Sequence, residues 1–259
     1  MKFIIIIFIL FFHFNGLGCI NLDTARFKDG SILYTKHSLS LMPEAHRINY
    51  SILDHYVNKF DSLYHNTQDL EYLADKALVL IYLGKYQESI NIYLQIEEKL
   101  PNKYSTASNI GTAYELNGQN DEALKWIHKS IQIEPSSHFY SEWIHENILK
   151  VKIAGDQYIS SNSLINTDFG QDVNPTTKLS KEQLNKLRKS IKYQLDERMT
   201  FVKEESLIVG NLLFDLGNIM ILTKNLRTAE KLYKKALEYG FKNNLIQKRL
   251  DAIVAYNNR

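Results

Sequence analysis

The chain has 259 residues, of which 44% are hydrophobic and 23% charged, with a formal net charge of +2. That balance gives no global attraction to nucleic acid or to an acidic substrate. The single cysteine excludes an intrachain disulfide, so stability has to come from burial, for which a chain of this length has room.

In chain order, Lys2, the apolar run from Phe3 to Phe12 and the small residues after it predict a secretory leader over 1–18. The run is short of the roughly 20 apolar residues a membrane span needs. Cys19 directly follows Gly16, Leu17 and Gly18, which resembles the bacterial lipoprotein signal. That resemblance implies lipid attachment at Cys19, the alternative being plain cleavage between Gly18 and Cys19. Residues 19–43 show only weak alternation around Ile32, Tyr34, His37 and Leu39, and are expected to form an N-terminal tether. Over 44–69, Ile52, Tyr56, Val57, Phe60 and Leu63 recur at helical spacing and predict an N-terminal capping helix.

Residues 70–103 and 104–137 superimpose at a spacing of 34: Gly84 recurs as Gly118, and Pro101 as Pro135. A repeat of this length is one helical hairpin, unable to bury its apolar face alone and obliged to stack on a neighbour. The glycines suit left-handed helix ends, Asn120 is expected to N-cap the next helix, and the prolines stop it. Against the pattern of the tetratricopeptide repeat, which these units resemble, Lys76 and Ile96 of the first unit stand where an apolar and a small residue are implied, so that unit is expected to pack more loosely.

A third unit begins on schedule at 138–153, but no second helix follows at the expected offset. An inserted loop over 155–179, rich in Ser, Asn, Asp and Gly, is predicted instead, within an irregular unit spanning 138–205. Ser180 and Gln183 then form a capping box, and Leu184, Leu187, Ile191 and Leu195 give an apolar stripe, so 180–196 reads as the displaced second helix. Over 206–259 Leu213, Leu216, Gly217, Met220, Ala229, Tyr233, Ala236 and Leu237 fall at the positions of the tetratricopeptide repeat, a resemblance that implies another unit. It is followed by a polar-backed capping helix at 242–257.

Ala107, Ile110, Gly111, Tyr114, Gly118, Ala123, Ile127, Ser130 and Pro135 together resemble the tetratricopeptide repeat. The resemblance implies an all-α, tetratricopeptide-type helical-hairpin solenoid with an inserted loop and helical caps, acting as a protein-binding array without cofactor. It also implies that the first helices line a concave groove. Carried over position by position, that groove takes Asn109, Thr112, Glu115, Phe139, Glu142, Trp143, Glu146, Asn211, Asp215 and Asn218. Glu142 and Glu146 stand where relatives that grip a terminal carboxylate place cations, so a basic or neutral segment, or a sugar stacked on Trp143, is the expected ligand. Plain packing of Trp143 and a solvated Glu142–Glu146 stripe are the alternatives.

His138, Glu142 and His145 share a helical face, but no fourth ligand is identifiable and no metal is expected. No phosphate loop, serine elbow or cysteine pair is present, and no catalytic residue is assigned. Lys181, Arg188, Lys189 and Lys192 form a basic stripe, either a solvated outer face or a contact for an anionic membrane. The expectation is an exported, membrane-anchored interaction module of the bacterial cell envelope with a protein or peptide partner. An outer-membrane assembly lipoprotein-like scaffold and a glycan-binding envelope lipoprotein are the alternatives.

Overall fold

The computed structural model describes residues 24–35 and 40–257. The leader, Cys19, His37 and Leu39 therefore lie outside the described residues. Two hairpins carry the repeat: α2 (Leu70–Tyr82) with α3 (Tyr86–Lys99), and α4 (Tyr104–Leu116) with α5 (Asn120–Ile133). Their turns depend on Gly84 and Gly118, at φ 76° and 79°, where a side chain would be strained. Helices α3 and α5 stop two residues short of Pro101 and Pro135. Asn120 does not cap α5: Gln119 holds the cap position and makes no side-chain bond there, and Asn120 is the first helical residue.

The hairpins close because small residues sit where the helices cross. A Cβ on Gly111 would come within 2.6 Å of the Ile127 side chain, and one on Gly217 would run into the Tyr233 ring. In the first unit Ala77 takes this place, fully buried, and the Ser89 hydroxyl donates to its carbonyl at 2.8 Å. Lys76, out of type for an apolar position, is accommodated by an ion pair to Asp61 on α1 (Leu53–Thr67), the helix that caps this end. Ile96 is buried despite its size.

The third unit breaks for a legible reason. The place of the turn glycine, 34 residues after Gly118, is held by Lys152, so α7 (Glu142–Ala154) runs on to Gly155. Before it, a short helical turn α6 (Ser137–Tyr140) replaces the first part of the unit's first helix. The insertion then follows, holding α8 (Ser161–Ile165) and burying Leu164, Ile165 and Phe169. Helix α9 (Lys181–Phe201) opens with both halves of the Ser180–Gln183 capping box, the Gln183 N–H donating to Ser180 and the Ser180 N–H to Gln183. The C-terminal hairpin, α10 (Leu207–Leu222) with α11 (Leu226–Glu238), has Lys224 at φ 61° where the earlier units have glycine. Helix α12 (Asn244–Asn257) packs on its end.

The expected tether is partly structured. Thr24–Arg26 (β1) and Ile32–Thr35 (β2) pair antiparallel. Phe27 packs on Tyr56 and Phe60 of α1, with ring centroids 4.9 and 4.7 Å away. The Lys28 N–H donates to Asp75 on α2 at 2.7 Å. Burial of Phe27, Leu33 and Tyr34 holds the hairpin down.

Replacing Gly111 by Ala is expected to destabilise the protein by about 1–3 kcal/mol through overpacking against Ile127, more than the gain in helix propensity returns. Urea unfolding of wild type and variant checks this; an unchanged midpoint would show that α4 and α5 do not meet this closely.

Candidate functional site

The concave face that the repeat would offer to a ligand is already covered. Helix α9 crosses the first helices of the repeats and meets each with a different kind of contact. Its Phe201 stacks on Tyr82 of α2, with centroids 5.2 Å apart. Its Arg198 reaches Glu115 of α4 at 2.8 Å, and its Gln194 donates to Ser141 just before α7 at 3.1 Å. The 44–46 backbone lies alongside, with the Glu44 and His46 N–H groups donating to Asp196 and Thr200, each at 2.8 Å. A gap of about 60 Å³, walled in part by Thr112 and Leu116, lies beneath α9.

Glu115 is the pivot. Besides Arg198 it meets Lys152 at 2.9 Å and the His145 ring at 2.6 Å. Burial works to raise its pKa, but the Arg198, His145 and Lys152 charges prevail and hold the carboxyl well below the usual carboxylate range. Burial works to lower His145, and Glu115 prevails in turn, raising it.

The other groove residues are similarly engaged. Asn109 is buried and donates to the Tyr93 hydroxyl at 2.8 Å. Glu142 is buried 2.6 Å from the His138 ring and 3.8 Å from that of His145. Burial would raise its pKa, but the two imidazoles keep it below the ordinary range. Among the described residues no group of three or more His, Cys, Asp or Glu side chains is placed to hold a metal ion. Glu146 faces α5, pairing with Lys150 at 2.9 Å and His128 at 3.2 Å.

In the C-terminal unit the insertion plays the part that α9 plays earlier. Asp215 accepts from Ser161 of α8 at 2.7 Å and from Asn211 at 2.8 Å, and its burial lifts the carboxyl pKa to about 7. Arg249 of α12 is fully buried, donating to Asn218 at 2.5 Å and to the carbonyls of Gly170 and Asp172 at 2.9 and 2.8 Å. The structure thus brings Asn211, Asp215 and Asn218 together as a clasp on the insertion.

What stays open is a cleft of about 1000 Å³ where the third unit is broken, between the 136–143 segment, the end of α8 and the N-terminal half of α9. Of the expected groove residues, Phe139 and Trp143 line it. Tyr140, Leu179, Leu187 and Tyr193 complete its apolar walls, and Lys186 and Lys189 stand at its edge. The stripe containing Leu187 was readable in the sequence; that it would face these aromatics was not, because the displacement of α9 is a tertiary event.

The cleft is held in shape by strained backbone. His138, Phe139 and Tyr140 take left-handed conformations in succession, at φ 51°, 57° and 58°, which costs on the order of 1–2 kcal/mol per non-glycine residue. The strain is secured from both sides: Ser190 of α9 donates to the Phe139 carbonyl at 3.2 Å, and the His138 ring stacks on Tyr193 at 5.2 Å. The His138 ring also lies 2.6 Å from the Tyr104 hydroxyl. Phe139 and Tyr140 are left 55% and 66% exposed.

The Glu115 cluster has a signed pH dependence. Glu115, with its pKa depressed by folding, stabilises above its unfolded pKa of about 4.3, and that contribution is lost as the pH falls through its lower folded value. His145, with its pKa raised, stabilises below about 6.5, and its contribution is lost as the pH rises through its higher folded value. The cluster is therefore fully effective between about pH 4.5 and 6.5. Glu115→Gln should cost about 3–5 kcal/mol in that window by leaving buried cations unpaired, and chemical denaturation at several pH values measures it. A cost under about 1 kcal/mol throughout would contradict the cluster.

Residues 105–137 match the family model of the tetratricopeptide repeat. No curated protein matches the chain. Among solved structures, a thermophilic tetratricopeptide-repeat protein of Thermus thermophilus aligns at 14% identity and a TM-score of 0.38. That alignment spans 79% of this chain and 92% of the other. A chain of the Cut9–Hcn1 hetero-tetramer of the APC/C aligns at 11% identity and a TM-score of 0.39, over 80% of this chain. The alignment spans only 40% of that longer protein. Residues 105–137 are thus a tetratricopeptide repeat, standing inside a stack of helical hairpins.

Proposed function

We propose that the protein is a non-catalytic interaction scaffold that docks a partner protein or peptide in the aromatic cleft of its broken third unit. The observation that carries this reading is the contrast between the two surfaces. The concave face is occupied by α9 and the insertion, while the cleft is open and walled by Phe139, Tyr140, Trp143 and Tyr193. Rigid aromatic side chains at the centre of a concave site are the residues that dominate binding energy at protein interfaces. The strained 138–140 backbone, clamped by Ser190, keeps those walls preorganised, which lowers the entropy cost of docking.

The leader and Cys19 extend the reading to an exported scaffold, anchored to a membrane of the cell envelope through a lipid at Cys19. No helix among the described residues is long and apolar enough to cross a membrane, so in this reading the anchor holds the protein at the surface. The aromatic walls would also suit a sugar ring stacked on Trp143, the form a glycan-binding envelope lipoprotein would take.

Cross-linked capture from native membranes separates these readings, with wild type, Cys19→Ser and Trp143→Ala in parallel. Cys19→Ser is expected to release the protein from the membrane. Trp143→Ala is expected to leave it anchored and folded but to cut partner recovery about tenfold or more. Undiminished recovery with Trp143→Ala would place docking elsewhere, and recovery of glycan without protein would select the sugar-binding reading.

A further inference from the structure

Resting on the reading of the cleft as a protein-docking site, we propose that its occupant is a peptide segment carrying a bulky apolar anchor flanked by carboxylate side chains. The apolar half of this specificity comes from the walls. Trp143, Tyr193, Leu187 and Leu179 line a volume of about 1000 Å³, and a peptide gains by burying apolar surface there at about 25 cal/mol per Å². The void is larger than one side chain fills, so an anchor of two or three apolar residues is what it accepts.

The carboxylate half comes from the mouth. Lys186 and Lys189 line the cleft, and Lys181, exposed, and Arg188, half-buried, stand on the same stretch of α9 outside its lining. The one exposed acid on this stretch is Glu182, which pairs with Lys186 at 2.8 Å. Both partners are about three-quarters exposed, so that pair is weak and exchangeable. Arg188 leans on the Asn185 side chain at 2.8 Å and meets no carboxylate among the described residues. The carboxylate of Glu142, next to Trp143 in the chain, is buried and matched by His138. The α9 side of the mouth therefore carries excess positive charge, the acids of the facing walls being Glu134 beside Ser136 and Asp168 beside Thr167. An acidic flank completes the charge pattern and a basic flank is repelled, which gives the site direction and selectivity beyond hydrophobic capture.

A membrane surface fits the same charges less well. A bilayer is met by a protruding face, whereas these aromatic side chains wall a concavity. A free amphiphile with an anionic head would share the chemistry and is separated by experiment.

The test uses the full chain carrying Trp126→Phe, which leaves Trp143 as the only indole and its fluorescence as the signal. Three synthetic tryptophan-free peptides share a Phe-Leu-Phe centre and differ in their flanks: pairs of Asp, of Asn, or of Lys. Dodecanoate below its micellar concentration is the fourth probe. The Asp-flanked peptide is expected to bind at least about tenfold tighter than the Asn-flanked one, and the Lys-flanked one weakest. Lys186→Glu with Lys189→Glu, both exposed and checked for an unchanged thermal midpoint, should reverse that order. Equal binding of the three peptides, or an order unmoved by the charge swap, overturns the acidic specificity while leaving the cleft as a docking site. Binding of dodecanoate with no peptide binding, or no binding of any probe, overturns the docking reading itself and this inference with it.

Discussion

A single buried carboxylate organises the centre of this molecule. Glu115 projects from the first helix of the matched repeat into the face where a ligand would lie, and there it meets His145, Lys152 and Arg198 from two other helices. A buried carboxylate left alone would be intolerable; with three cations around it, it becomes a lock among α4, α7 and α9. Arg198 is the member that matters most for shape, because it brings the C-terminal half of α9 across the concave face. Phe201 can then reach Tyr82, and the 44–46 segment finds Asp196 and Thr200.

The same constraint explains the cleft. A second helix that crosses the concave face cannot also pack along α7 as in the ordinary hairpin; the N-terminal half of α9 buries Leu184 and Ile191 in the core, and a cavity lined by Trp143 and Leu187 is left beside it. The insertion follows the same logic at the other end. Its α8 packs on α7 and α10, and Ser161 and the 170–172 carbonyls find their hydrogen-bond partners on Asp215 and Arg249. A repeat array that covers its concave face with its own chain moves its open surface to the break in the repeat.

Much of the fold was legible because it rests on local rules. The paired Gly84 and Gly118 turns, the stops before Pro101 and Pro135, the Ser180–Gln183 box and the apolar face of α9 are all readable within a few residues of sequence. The C-terminal hairpin was readable from Gly217 and Tyr233, whose close approach requires a residue without a side chain. The site was legible only in part. Phe139 and Trp143 were marked by register and do line the cleft. Glu115, Asn109 and Asp215 were marked by the same register, and their side chains serve the interior. Register tells which face a residue occupies. It does not tell that a helix far along the chain will cover that face, since a long-range ion pair such as Glu115–Arg198 leaves no local pattern. The β-hairpin was hidden for a related reason: Phe27 and Tyr34 are too few to set a period, and they are ordered by the helices they land on.

The covering of the concave face by α9 is the claim on which both the closed groove and the open cleft depend. Hydrogen–deuterium exchange on the full chain tests it most directly, read on the backbone amides of residues 194–201. The account predicts protection matching that of α4, with both segments opening together. Exchange of 194–201 near the rate of an unstructured chain while α4 stays protected would contradict it, and would make the concave face an open surface again.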